Sequence, residues 1–272
     1  MDLKKYLIKP KDNFSLNSAN PMDTGTFKSK EEAEAETDGL RKRLSELQDI
    51  LYAEKKHSVL IILQGMDTSG KDGTIKHVFS GVNPQGFSVT SFKKPTVEEV
   101  SHDFLWRVHQ HTPAKGYIAA FNRSQYEDVL VPWVHKTGTE EALRQRLKHI
   151  QHFEDMLASE GTKIIKIFLH ISKDKQLQKI HERMEEPRKF WKFDPTDLLE
   201  REYWDEYQKA YEEVFASTST NQVPWYWVPA NQKWFRNYLV LRILVQTLES
   251  LNLEYPLLQA TKSEIARYMN EK

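Results

Sequence analysis

Apolar residues along this chain follow two alternating rhythms. Short, nearly continuous apolar runs occur at Ser58–Leu63, Phe87–Phe92, Tyr117–Phe121, Ile164–Ile171 and Trp225–Val228. Such runs suit strands buried on both faces. Between them lie stretches in which apolar positions recur every three or four residues, roughly Lys71–Ser80, Thr96–His111, Glu140–Glu160, Lys173–Glu186, Leu198–Ser217 and Trp234–Leu251, and these predict helices. Alternation at this spacing predicts an α/β fold, a parallel sheet of about five strands covered by helices on both faces. Ahead of the first strand, Leu40, Leu44, Leu47 and Leu51 recur at steps of four, three and four within the Glu/Lys-rich stretch 29–56, which predicts one long helix. Packing on the body of its own domain is the first reading of that helix, and a contact in a homo-oligomer is the alternative. Residues 1–28, with Asn13, Asn17, Asn20, Pro21, Asp23 and Gly25 and no sustained period, predict an irregular arm. No repeat or linker divides the rest, so the expected organisation is one domain over 29–256 and a tail over 257–272.

Composition removes several function classes. The 272 residues include no cysteine, against a disulfide-stapled module or a structural zinc site, while 11% aromatic residues supply a core and argue against disorder. The N-terminus lacks the apolar run of roughly 7–15 residues of a signal peptide, and no stretch approaches the ~20 apolar residues of a membrane span. The expectation is a cytoplasmic protein without a membrane partner. Charge balances at 39 Lys+Arg against 39 Asp+Glu, and with no recognised module this speaks against a nucleic-acid partner.

The chemistry is concentrated after the first predicted strand. There Gly65-Met66-Asp67-Thr68-Ser69-Gly70-Lys71 has the G-x-x-x-x-G-K spacing of a phosphate loop between a strand and a helix. Glycine is needed where φ is positive or a side chain would block the phosphate. Backbone N–H groups and the helix N-terminus then face the anion, with Lys71 as a mobile cation. Gly65, Met66, Thr68, Ser69, Gly70, Asp72 and Gly73 are the expected phosphate-binding set. Asp72 replaces the usual Ser or Thr. Asp67 inside the loop is a candidate metal ligand or base, since a carboxylate beside phosphate is repelled unless a cation or proton intervenes. At the end of the third predicted strand stand Asn122 and Arg123, followed by Glu127 and Asp128; the carboxylates are further candidate metal ligands, and Arg123 offers a planar cation to phosphate. Residues 181–197, with Arg183, Lys189, Trp191 and Lys192 around Pro187, suit a basic lid. The stretch 91–116 carries Lys93, Pro95, Trp106 and Arg107, candidate nucleotide contacts, and three histidines. His109 and His111, at i and i+2 of a helix, would face different sides, which disfavours a metal site.

In order, GMDTSGKDGT (65–74), GVNPQG (81–86), SFKKPT (91–96), LWRVHQHTPAKG (105–116), FNRSQYEDVL (121–130) and the Arg183…Pro187…Trp191-Lys192-Phe193 segment strongly resemble the family-2 polyphosphate kinases over about residues 47–251. The resemblance implies a fold like thymidylate kinase with a helical lid and dependence on magnesium, for which manganese can substitute. It also implies reversible phosphoryl transfer between inorganic polyphosphate and a nucleotide, with adenine the first expectation and guanine left open. Position by position it implies that Asp67 and Lys71 act from the phosphate loop, Arg123 at the strand end and Arg183 from the lid. Asn122 departs from the Asp of many relatives, shifting more of the metal task onto Asp67 with Glu127 or Asp128. Asn-Arg-Ser followed by Tyr-Glu-Asp looks like the subgroup that phosphorylates both AMP and ADP. The rivals are an ATP-dependent nucleoside monophosphate kinase and a non-catalytic nucleotide or phosphate sensor. The zero net charge then predicts segregation, with cations gathered at 71, 93–94, 107, 123 and 183–192 around a channel.

Overall fold

The computed structural model describes residues 1–10, 13–257 and 269; nearly all of the expected tail lies outside them. The elements are β1 (Leu7–Ile8), α1 (Lys30–Glu54), β2 (Ser58–Gln64), α2 (Lys71–Val78), β3 (Phe87–Ser91), α3 (Val97–Val100), α4 (Trp106–His109), β4 (Ile118–Asn122), α5 (Glu127–Val134), α6 (Glu140–Ser159), β5 (Thr162–His170), α7 (Lys173–Glu185), α8 (Pro187–Phe190), α9 (Thr196–Glu200), α10 (Trp204–Thr218), β6 (Trp225–Pro229) and α11 (Lys233–Glu249). The sheet order is β1-β6-β5-β2-β4-β3, with every pairing parallel except β1 on β6. Helices α1, α2 and α11 pack together as one layer, and α5, α6 and α10 as the other. Central β2 is buried at every position, which is why Val59–Leu63 are all apolar, while its buried polar ends are hydrogen-bonded, Ser58 to Thr162 and Gln64 to Ser124. Its C-terminal end feeds the phosphate loop, and its neighbour β4 ends beside it at Asn122.

Helix α1 starts where Ser29 caps it, carries Glu31 and Glu32 in its first turn, and ends at Lys55 in the left-handed region. Its buried face is Leu40, Leu44, Leu47 and Leu51, packed with α11. That contact lies within the chain, as the first reading of this helix expects.

Three elements differ from the sequence expectations. The segment Thr96–His111 is two short helices because Ser101 Oγ donates to Glu98 O at 2.7 Å and the Asp103 carboxylate accepts from Leu105 N at 3.0 Å. Side chains there compete with the helical ladder. Helix α5 was not expected from the periodicity because Pro132 interrupts it. The carbonyl of Asp128, which Pro132 cannot engage, accepts instead from Arg146 at 2.6 Å. The arm is ordered: Leu3, Tyr6, Ile8 and Leu16 are buried, and the Trp227 indole donates to Lys5 O at 3.2 Å.

Candidate active site

Backbone geometry shapes the loop between β2 and α2. Gly65 has φ 148° and Gly70 φ 102°, both in the region that favours glycine. A Cβ at Gly65 would meet Leu169 O at 2.7 Å, and one at Gly70 would strike the Arg236 guanidinium. Only glycine therefore lets the loop lie against β5 and α11. Thr68 also has positive φ (63°). The buried hydroxyls of Thr68, Ser69 and Thr74 take no protein partner among the described residues, as expected of donors turned to an anion. Lys71 is buried and donates to Gly65 O at 2.7 Å and Met66 O at 3.3 Å. Burial, helped by the Arg123 charge, lowers its pKa.

The strand end lies across from the loop. Arg123, itself at φ 63°, donates to Asp67 at 2.5 Å and to Glu127 at 3.3 Å. Glu127 is the largest cause that raises the Arg123 pKa, whereas burial raises that of Glu127. In the orientation that satisfies its neighbours, the Gln64 amide donates to Glu127 Oε1 at 2.9 Å and accepts from Ser124. Asn122 donates to Asp72 at 2.7 Å, and Lys192 of the 181–197 segment pairs with the other Asp72 oxygen at 2.8 Å. Burial pushes the Asp72 carboxyl up, but Lys192 and Asn122 outweigh it and hold the carboxyl below its usual range. Arg183 pairs with Asp197 at 2.9 Å; burial, with the nearby Asp67, pushes the Asp197 carboxyl up to about 6.

Many of these groups line one cavity of about 760 Å³, whereas Gly65, Met66 and Glu127 line an adjoining cavity of about 410 Å³. The larger includes Asp67, Thr68, Gly70, Lys71, Asp72, Gly73, Lys93, Lys94, Asn122, Arg123, Arg183, Trp191 and Lys192. Behind the loop a cavity of about 250 Å³ is lined by Lys179, Arg183, Lys189, Lys233 and Arg236 against the single carboxylate Glu182. Lys179 donates to Thr68 O at 3.2 Å and Arg236 to Ser69 O at 3.2 Å, so two buried cations hold the loop from behind. Burial lowers Lys179 to about 7 and Arg236 to about 10. Neither stood among the expected site residues. Lys175, Lys179 and Arg183 at steps of four on one helix were a readable stripe, whereas the reach of Arg236 from α11 leaves no local pattern.

Several expectations need correction. Asp128 does not join Asp67 and Glu127, because its carboxylate pairs with Arg107 at 2.9 Å. Arg107 is buried in that pair and also donates to Lys93 O at 2.9 Å, so it holds the 91–96 loop rather than facing the main cavity. Trp106 stacks on His102, ring centroids 4.0 Å apart, beside a separate cavity with His109 and Phe153. Pro95 lines neither cavity beside the phosphate loop.

No set of three or more potential ligands that could hold a metal by themselves occurs among the described residues. Asp67 and Glu127, both on Arg123, are two carboxylates beside the loop that could share an ion with phosphate oxygens, while the third, Asp72, is taken up by Asn122 and Lys192. This donor set fits magnesium, which is held by one or two carboxylates plus substrate phosphate and water. No helix among the described residues is long and apolar enough to cross a membrane.

Comparison with known proteins decides the family. The family described as Polyphosphate kinase 2 (PPK2) matches residues 27–256. The chain belongs to the polyphosphate kinase 2 family. As a member of it, the chain is a phosphotransferase. It is 51% identical over 255 residues, 93% of this chain and 96% of the relative, to an AMP/ADP-polyphosphate phosphotransferase of Meiothermus ruber. It is 46% identical to an ADP-polyphosphate phosphotransferase of Rhodopseudomonas palustris over 79% of this chain and 78% of that relative. The crystal structure of polyphosphate kinase 2 from Arthrobacter aurescens TC1 superposes with a TM-score of 0.92 at 39% identity, covering 98% of both chains. The polyphosphate kinase 2 fold therefore extends across the described arm and sheet alike.

Proposed function

We propose that the chain transfers the terminal phosphoryl group of inorganic polyphosphate to AMP and to ADP, giving ADP and ATP, in a reversible reaction. The observation that carries this reading is the continuity of the cationic lining. The cavity with Lys71, Arg123 and Arg183 and the one behind the loop share Thr68, Gly70, Gly73 and Arg183, so positive charge extends further than one nucleotide needs. Such a path suits a long polyanion. The two relatives' names, one for AMP and ADP and one for ADP, agree with the acceptors.

Both reactants are polyanions, so the chain's task is to overcome their repulsion and align them. A terminal phosphate oxygen of the nucleotide attacks the terminal phosphorus of polyphosphate in line. The bond to the bridging oxygen breaks, and the shortened polyphosphate leaves with that oxygen's negative charge. Lys71 turns from Gly65 O to the phosphates. Arg123 and Arg183 flank the transferring group from the strand end and from the lid. Lys189 and Lys192 add charge from the same lid, residues 181–197, whose closure excludes water. Lys93 and Asn122 lie where the nucleotide's phosphates would enter. Asp67 and Glu127 would hold the magnesium ion, which supplies charge neutralisation on phosphate oxygens. We read 29–256 as one catalytic unit on which the arm is docked.

The test uses polyphosphate with AMP or ADP and magnesium, without added ATP, and measures ATP with luciferase. ATP from both acceptors supports the reading. Silence with polyphosphate, together with AMP phosphorylation by ATP, would instead make the chain an ATP-dependent nucleoside monophosphate kinase.

A further inference from the structure

Two cations of the site, Lys93 and Lys94, stand on a loop that has almost no hydrogen bonds of its own. Both line the cavity of about 760 Å³, and Lys94 also borders the one of about 410 Å³. Before them, Phe92 N donates to Asn122 O at 3.0 Å. After them, Thr96 and Glu99 cap each other, Thr96 N donating to the Glu99 carboxylate at 2.7 Å and Glu99 N to the Thr96 hydroxyl at 3.2 Å. Between these ends, the only hydrogen bond to residues 93–95 among the described residues runs from Arg107 to Lys93 O, at 2.9 Å. Arg107, on α4, is 5% exposed and fills the inside of the loop. Its guanidinium lies 5.6 Å from the Phe92 ring centroid and 3.8 Å from the Glu99 carboxylate. Its other terminal nitrogen pairs at 2.9 Å with Asp128, the residue after Glu127 on α5, whose carbonyl is held in turn by Arg146 at 2.6 Å.

We propose that Arg107 is a positioning residue for the transfer reaction. It ties the backbone of Lys93 to the first turn of α5 and thereby sets Lys93 and Lys94 against the acceptor's phosphates, at a fixed distance from Arg123 and Glu127. This rests on the reading of the chain as a nucleotide phosphotransferase in which Lys93 meets those phosphates. A planar guanidinium suits the task, because its rigid fork reaches two acceptors on different segments, whereas an ammonium is a point charge. Without that tether, residues 93–95 would have to be ordered each time a nucleotide binds, and the entropy lost would weaken binding. Asp128 acts through Arg107: it neutralises the buried guanidinium and aims it at the loop.

The experiment is a double-mutant cycle. ADP is titrated calorimetrically into the full-length protein, Arg107→Met, Lys93→Ala/Lys94→Ala and the three combined, and the ADP KM and kcat are measured for each. Arg107→Met and the lysine pair are each expected to raise the ADP Kd and KM by about tenfold, the scale of a lost charge-assisted contact, with kcat within about threefold. Once the lysines are absent their placement has no effect, so the combined variant should bind ADP within about twofold of the lysine variant. Losses that multiply to about 100-fold would overturn the proposal, as would an unchanged Kd in Arg107→Met or in the lysine variant. A merely structural role would lower the melting temperature and the binding stoichiometry and leave the Kd of the folded fraction as it was. If Arg107→Met does not fold because it strands the Asp128 carboxylate, Arg107→Met/Asp128→Leu removes both charges and enters the same cycle. A wild-type protein that binds ADP but makes no ATP from polyphosphate would refute the donor assignment alone, and the cycle in ADP Kd would still decide the role of Arg107.

Discussion

Lys179 is an ammonium carrier buried behind the phosphate loop, and its pKa lies near 7 because burial disfavours its charged form. The unfolded chain, with an ordinary lysine, binds more protons between about pH 7 and 10.5, so this group's contribution to stability rises with pH through that window and is least favourable below pH 7. A polyanion beside it restores the charge. Calorimetry of polyphosphate binding near pH 8, in buffers of different ionisation enthalpy, should therefore register proton uptake by wild type and little or none by Lys179→Met. Equal uptake by both would remove Lys179 from the path. A second residue-scale prediction concerns Lys166, which interrupts the apolar run of β5. It is fully buried, paired with Glu154 at 2.7 Å, and donates to Thr218 O at 2.7 Å. The same Glu154 accepts from Tyr126, the residue before Glu127, at 2.7 Å. Glu154→Ala should cost about 3–5 kcal/mol in denaturant unfolding, because it strands a buried ammonium, while the Lys166→Met/Glu154→Leu double variant should cost much less. Equal losses in both would contradict this account. At this scale Gly65, Gly70 and Lys71 were legible because their spacing is itself the geometry of the loop. The same contiguity failed at Trp106 and Arg107, where an aromatic beside a cation says nothing of which side each faces.

Elements were legible where burial is continuous or strictly periodic. Strands β2, β4, β5 and β6 and helices α1, α6, α7 and α11 follow from pattern because each buries a run or a stripe long enough to establish a period, whereas the edge strand β3 has no buried position although its sequence reads as a buried run. Helix α5 carries Glu127 yet was hidden by Pro132, and its integrity depends on Arg146 from α6, a contact no local window contains. Strand β1 is two residues long, too short for any period, yet Leu7 and Ile8 cover the open edge of β6. An uncovered edge is a template for pairing with another chain. Removing residues 1–8 should lower the melting temperature and produce association visible by light scattering at concentrations where the full chain is stable. An unchanged melting temperature and scattering would mean that the arm contributes nothing to the sheet.

Across the whole molecule the balanced charge is spatially divided. Cations from α2, α7, α11 and the lid converge on the phosphate loop, while surplus acid lies elsewhere, as at Glu31, Glu32 and Glu34 on the surface of α1. The expectation of a gathered cationic lining holds at Lys71, Lys93, Lys94, Arg123, Arg183, Lys189 and Lys192 and fails at Arg107 and Arg188. Sequence could indicate that such a lining exists because its motif residues are contiguous. It could not locate the wall supplied by Lys179, Lys233 and Arg236, which forms only when α7 and α11 meet behind the loop. The central claim is that polyphosphate is the phosphoryl donor. Phosphorus NMR of polyphosphate, magnesium and AMP tests it directly. Internal polyphosphate phosphorus should decline as the β-phosphorus of ADP and then the γ-phosphorus of ATP appear, with Lys71→Ala slower by about 10²-fold or more. Unchanged polyphosphate in the presence of AMP, or near-normal turnover by Lys71→Ala, would contradict it.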